Sequence, residues 1–241
     1  MKTLIIAIAS IAVFSSCHKY NDKLVDINNS FQISMPDSTG IRNDGTSTIK
    51  LTVTKLIDLK DNTKVVFEKT KGTIQKEEVS FIGNEAIAYL TVSQDTGIYF
   101  ISAKIKDGEN VKAEKNIVFS FLRAYPDFIS IEPDKLVYNF DADKETVLKV
   151  YLLRKNGLAT THLPVSFKAY QIGATPTDTL VVGRFKDALN NFSTATGKLE
   201  KDVSFFTDTQ NIDPTKAIFI EVTSKNDSGN TINTTINLTY K

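Results

Sequence analysis

Between Asp95 and Gly108, apolar residues recur at every second position: Tyr99, Ile101, Ala103 and Ile105. Ser102, Lys104 and Lys106 fill the places between them. A period of two belongs to a strand with one face on a core and the other in water, which is the situation of an antiparallel sheet. Asp95-Thr96-Gly97 leads into the run as a corner, and Lys106-Asp107-Gly108-Glu109-Asn110 leads out of it as a hairpin turn. An amphipathic helix would need apolar residues at i, i+3, i+4 and i+7, and no stretch sustains that spacing with caps over three turns. Short β-branched runs bounded by Gly, Asn, Asp and Pro recur instead, so the chain is predicted to be all-β.

The pattern occurs twice, in the same order. Phe31-Gln32-Ile33-Ser34-Met35-Pro36-Asp37 is matched by Phe128-Ile129-Ser130-Ile131-Glu132-Pro133-Asp134, with Phe, Pro and Asp at the same spacing. Ile49, Leu51 and Val53 match Leu148, Val150 and Leu152, and Val65-x-Phe67 matches Val165-x-Phe167. Tyr99 to Ile105 with its turn corresponds to Ile218, Ile220 and Val222 followed by Asn226-Asp227-Ser228-Gly229-Asn230. Val111 to Phe121 and Thr231 to Tyr240 close the two copies. Each copy is about a hundred residues, a sandwich's length. Two tandem domains are expected, 31–123 and 124–241, joined near Tyr125-Pro126, where proline favours an extended strand-to-strand passage.

The first residues read as a targeting segment. Lys2 is a short basic region, and Thr3 to Phe14 is an apolar run too short to span a bilayer as a helix. Phe14-Ser15-Ser16-Cys17 follows and contains the only cysteine. This resembles the lipobox of bacterial lipoproteins, although Phe14 stands where leucine is usual. The resemblance implies a signal peptide over 1–16, cleavage before Cys17, and acylation of Cys17. Lipidation also accounts for an unpaired thiol in an exported chain, and two or more acyl chains hold firmly to a membrane. A polar tether is expected over 17–30. The implied location is the bacterial cell envelope, with the protein anchored in the outer membrane.

Composition narrows the function. With 29 Lys and Arg against 28 Asp and Glu, the chain has no charge to steer it to nucleic acid. Only His18 and His162 exist, there is no His-x-x-x-His pair, and no Gly-x-Ser-x-Gly elbow or lysine-bearing phosphate loop appears. Asp141-x-Asp143-x-Glu145 lacks the glycine of a calcium loop and carries Lys144 in its middle, so it is read as a solvated turn. No catalytic residue, metal site or cofactor is therefore expected, and the chain is read as a non-enzyme. Loops on a rigid scaffold often carry binding. The long, irregular stretch from Tyr170 to Val203 is the candidate, with Tyr170, Arg184, Phe185, Asn190, Asn191 and Phe192 as candidate contacts.

Asp95-x-Gly97-x-Tyr99 resembles the tyrosine corner of immunoglobulin-like sandwiches, in which the phenol hydroxyl bonds back to nearby backbone. The order of Asp44-Gly45-Thr46, Val65-x-Phe67, Gly72-Thr73-Ile74, Asn84 to Leu90 and Gly97-x-Tyr99 resembles the bacterial immunoglobulin-like domains of invasin and intimin-type surface proteins. That likeness covers most of 31–121 and is weaker over 128–241. It implies two immunoglobulin-like β-sandwiches serving as a spacer, adhesion or protein-binding module. A second reading is an accessory glycan-binding lipoprotein of an outer-membrane nutrient-uptake complex. The partners implied are the membrane through Cys17 and an envelope protein or a surface glycan.

Overall fold

The computed structural model describes residues 29–59, 63–139, 144–194, 196–199, 202–207 and 211–240. Among these residues every regular element is a strand. The chain is all-β, as its periodicity requires. It divides into two compact units. Of the described residues, unit 1 comprises those up to Ile41 with those of Thr48–Ser93 and Gly97–Ser120; unit 2 comprises Arg42–Ser47, Gln94–Thr96 and those from Phe121 onward.

Unit 1 is built from two four-stranded antiparallel sheets. One runs β1 (Phe31–Ser34), β3 (Thr48–Lys55), β7 (Glu85–Thr91) and β5 (Thr73–Ile74). The other runs β6 (Glu78–Ser80), β4 (Lys64–Lys69), β8 (Ile98–Asp107) and β9 (Asn110–Ser120). Alternation puts Ile49, Leu51 and Val53 of the first sheet inside, with Val65, Phe67, Tyr99, Ile101, Ala103 and Ile105 of the second. Tyr99 is fully buried and stacks on Phe119, with ring centroids 5.4 Å apart.

Unit 2 repeats this plan and adds to it. Its five-stranded sheet runs β11 (Phe128–Pro133), β13 (Glu145–Leu153), β19 (Val203–Phe206), β16 (Arg184–Asp187) and β17 (Phe192–Thr194). Its six-stranded sheet runs β12 (Val137–Tyr138), β21 (Thr231–Tyr240), β20 (Ile218–Lys225), β14 (Val165–Ile172) and β15 (Thr179–Val181), with β18 (Thr196–Leu199) also pairing β14. A short parallel pair, β2 (Arg42–Asn43) with β10 (Leu122–Arg123), completes the unit. The order β11-β13-β19 mirrors β1-β3-β7, and β14-β20-β21 mirrors β4-β8-β9, so the sequence repeat is a repeat of sheet topology. The core of unit 2 holds Leu148, Val150, Phe167, Phe185, Phe205, Ile220 and Val222 among others. Phe185 is its aromatic centre, 5.2 Å from Phe167 and 5.1 Å from Phe205 between ring centroids.

The stretch from Tyr170 to Val203, long and irregular in sequence, holds between β14 and β19 four strands among the described residues, β15 to β18. The chain leaves the six-stranded sheet after β15 and enters the five-stranded sheet at β16, turning at Val182-Gly183. Val182 is buried and its amide donates to the Ala169 carbonyl at 3.0 Å. Gly183 takes φ 71°, a left-handed geometry in which a Cβ is strained. This crossing carries Arg184 to Asp187 onto the second sheet.

Candidate functional site on the outer face of the five-stranded sheet

In β16 the residues alternate: Phe185 and Asp187 point inward and are buried, while Arg184 and Lys186 point outward and are half-buried. Antiparallel register then sets their neighbours. Arg184 lies opposite Phe206 of β19, and Phe206 lies opposite Glu145 of β13. In the next row Phe192, Lys186, Ser204 and Val147 lie side by side across β17, β16, β19 and β13. Strands pack about 4.8 Å apart, so the residues of each row are direct neighbours across the sheet.

The Arg184 guanidinium sits 5.1 Å from the centre of the Phe192 ring and 5.2 Å from that of Phe206. Lys186 Nζ is 5.3 Å from the Phe192 ring centre. Cations at this distance are attracted to the negative face of an aromatic ring. Phe192 remains 56% exposed, far more than a core phenylalanine. Ser204 is the smallest member of its row. A groove of about 250 Å³ opens here, and its walls include Glu145, Val147, Lys186, Asn190, Asp202 and Ser204.

One buried carboxylate holds the hairpin that carries these groups. Asp187 Oδ1 accepts the Leu189 amide at 2.9 Å and the Asn191 amide at 2.8 Å, and Oδ2 accepts Asn191 Nδ2 at 2.9 Å. Its own amide donates to the Asn191 carbonyl at 3.0 Å. Asn190, at φ 63°, makes the left-handed step of the turn, a geometry asparagine tolerates better than most residues. Farther along the same face the Tyr151 hydroxyl donates to Glu132 at 2.8 Å, which raises its pKa above the ordinary phenol value.

The structure thus brings together Arg184, Asn190, Asn191 and Phe192 of the candidate contacts. Phe185 turns inward and fills the core, with no surface left for a ligand. Tyr170 belongs to the other sheet, where its ring stacks on Phe219 at 5.5 Å and Lys168 lies 5.0 Å from its centre. Lys186, Ser204, Phe206 and Asp202 carried no signal of their own in the sequence, and Glu145, read there as part of a solvated turn, is the first residue of β13. They come from three segments, and only strand pairing assembles them. The available signal was the alternation Arg184-Phe185-Lys186-Asp187, which marks Lys186 as sharing the face of Arg184.

The remaining sequence candidates are elsewhere. The Tyr99 hydroxyl accepts the Ser93 amide at 2.8 Å and donates to the Ser93 carbonyl at 3.3 Å, and Gly97 between them takes φ 124°. The Asp95 carboxylate accepts the Thr161 hydroxyl. Cys17 lies outside the described residues, as do Asp141 and Asp143. Among the described residues no group of three or more His, Cys, Asp or Glu side chains is placed to hold a metal ion. A larger cavity of about 460 Å³ in unit 2 has mainly apolar walls, including Leu152, Ala159, Leu163 and Leu189.

No protein-family model matches the chain, and no curated protein matches it. Solved structures do. The Yersinia pseudotuberculosis adhesin InvE is similar over 88% of this chain, at 18% identity and a TM-score of 0.54. The chain spans 59% of that protein's length. Invasin, a bacterial integrin-binding protein, is similar over 88% of this chain and 40% of its own, at 15% identity and a TM-score of 0.40. Yersinia pseudotuberculosis InvD is similar over 89% of this chain and 58% of its own, at 19% identity and a TM-score of 0.36. The first of these carries the fold: the chain has an immunoglobulin-like β-sandwich architecture.

Proposed function

We propose that this chain is a non-enzymatic lipoprotein of the bacterial cell envelope, in which two immunoglobulin-like sandwiches form a spacer and adhesion module. The observation that carries the reading is the likeness of 88% of the chain to a solved adhesin at a TM-score of 0.54. Fold alone does not license function, so the reading draws also on two features of this chain. Phe14-Ser15-Ser16-Cys17 supplies the acceptor for lipid and accounts for a lone cysteine. The Arg184, Lys186 and Phe192 face supplies an exposed, preorganised contact surface on a rigid sheet. Domains over 31–123 and 124–241, a tether over 17–30 and a leader over 1–16 complete the proposal.

The test uses bacteria carrying either the wild-type chain or Cys17→Ser. Cells are labelled with radioactive palmitate, treated with external protease and scored for attachment to surfaces. The wild type should take up label, be shaved from the cell and support attachment, and Cys17→Ser should lose all three. A wild-type chain without label overturns the anchor. A labelled chain that external protease cannot reach overturns adhesion.

A further inference from the structure

We infer that the outer face of the five-stranded sheet in unit 2 is a shallow saccharide-binding site, with Phe192 as its apolar platform and the groove over Ser204 as its polar seat. The inference names a ligand class for the contact surface proposed above, and rests on that reading only in requiring the face to be displayed.

The argument is one of matched chemistry. A pyranose presents hydroxyls that both donate and accept, beside patches of C–H. The groove presents the same mixture in complement. Lys186 and Asn190 donate, the Ser204 hydroxyl does either, and the Glu145 carboxylate accepts, while the Asp202 carboxylate, whose Oδ1 takes the Val150 amide at 3.1 Å, adds negative charge to the wall. Both signs line so small a space that a polyanion meets Glu145 and Asp202, and a cation meets Lys186 with Arg184 beside it. A neutral polyhydroxyl ligand is opposed by neither. The ring of Phe192, 56% exposed, lies in the row of Lys186 and Ser204 and offers a surface to the C–H side of a sugar.

The parts are held in place before any ligand arrives, which lowers the cost of binding. Arg184 packs against two rings at 5.1 and 5.2 Å, and the Asp187 carboxylate fixes the turn carrying Asn190 and leading into Phe192. At about 250 Å³ the groove is smaller than a drug-sized pocket. It fits one or two sugar units of a longer chain and predicts weak single-site affinity.

The full-length chain, solubilised in detergent, is applied to an array of neutral and uronate-containing oligosaccharides, and binders are titrated by calorimetry. Phe192→Ala and Lys186→Ala, both at surface positions, are compared with Tyr170→Ala on the other sheet, and circular dichroism checks that each variant folds. Binding of a neutral oligosaccharide, weakened at least ~10-fold by Phe192→Ala and by Lys186→Ala but not by Tyr170→Ala, is the expected result. Equal binding by wild type, Phe192→Ala and Lys186→Ala overturns the site. Binding confined to acidic sugars and abolished by salt overturns the saccharide chemistry in favour of ion pairing. If no glycan binds but attachment of cells still depends on Phe192, the face serves a protein partner and the adhesion reading survives alone. Glycan binding by a chain that takes up no palmitate sinks the anchor and leaves the site standing.

Discussion

Thr146 is completely buried on the inner side of β13, and among the described residues its hydroxyl has no hydrogen-bond partner. An unpaired hydroxyl in an apolar interior costs free energy that an isosteric methyl does not. Thr146→Val should therefore stabilise the chain by ~1 kcal/mol, read as a higher urea midpoint at unchanged slope. Asp44 shows the opposite case. Burial pushes its carboxyl up, but hydrogen bonds from the Ser47 hydroxyl at 2.6 Å, the Ser47 amide at 2.7 Å and the Thr46 amide at 2.9 Å outweigh that and hold it below its ordinary value. A depressed carboxylate stabilises the fold at pH above its unfolded value, and the contribution is lost as pH falls through the folded one. Asp44→Ala should thus be less stable than wild type at pH 7, with the deficit shrinking below pH ~4. A deficit that stays constant across that range in urea titrations would disprove the assignment.

At the scale of elements, the Gly183 crossing decides where the face forms. A Cβ there would meet the Phe205 ring and, at 2.7 Å, the Phe206 carbonyl, on a backbone already at φ 71°. Backbone cannot yield as a side-chain tip can. Gly183→Ala should cost ~2–3 kcal/mol and loosen Arg184 from Phe206, seen as chemical-shift changes across β16 and β19 larger than those in unit 1. The strand Tyr99 to Ile105 was legible in the sequence because its period was unbroken over four inward residues. The elements β15 to β18 were not. They have only three or four residues each, too few for a period to show, and they owe their existence to the strands they pair with.

On the scale of the whole molecule, two separate interiors are filled by two alternating patterns. Ile101 is fully buried in unit 1, and an aspartate there would place an unpaired charge in an apolar core. Calorimetry of the wild type should resolve two transitions. Ile101→Asp should remove one and leave the other, with the unit 2 core intact; simultaneous loss of both would mean that the units cannot fold separately. The repeat of Phe31 to Asp37 at Phe128 to Asp134 and of Val65-x-Phe67 at Val165-x-Phe167 reaches this scale as a repeated strand order.

The amino-acid sequence by itself determined the strand periods, the all-β class and the recurrence of one plan, because alternation along a strand is a local property that neighbours cannot reverse without exposing a core. Only the tertiary structure decided that Phe185 is interior while Phe192 is surface, that Tyr170 lies on one sheet and Arg184 on the other, and that Lys186, Ser204 and Glu145 share a face. Those facts depend on which strands pair and in what register. Pairing joins residues dozens of positions apart, and no period within a single segment records it.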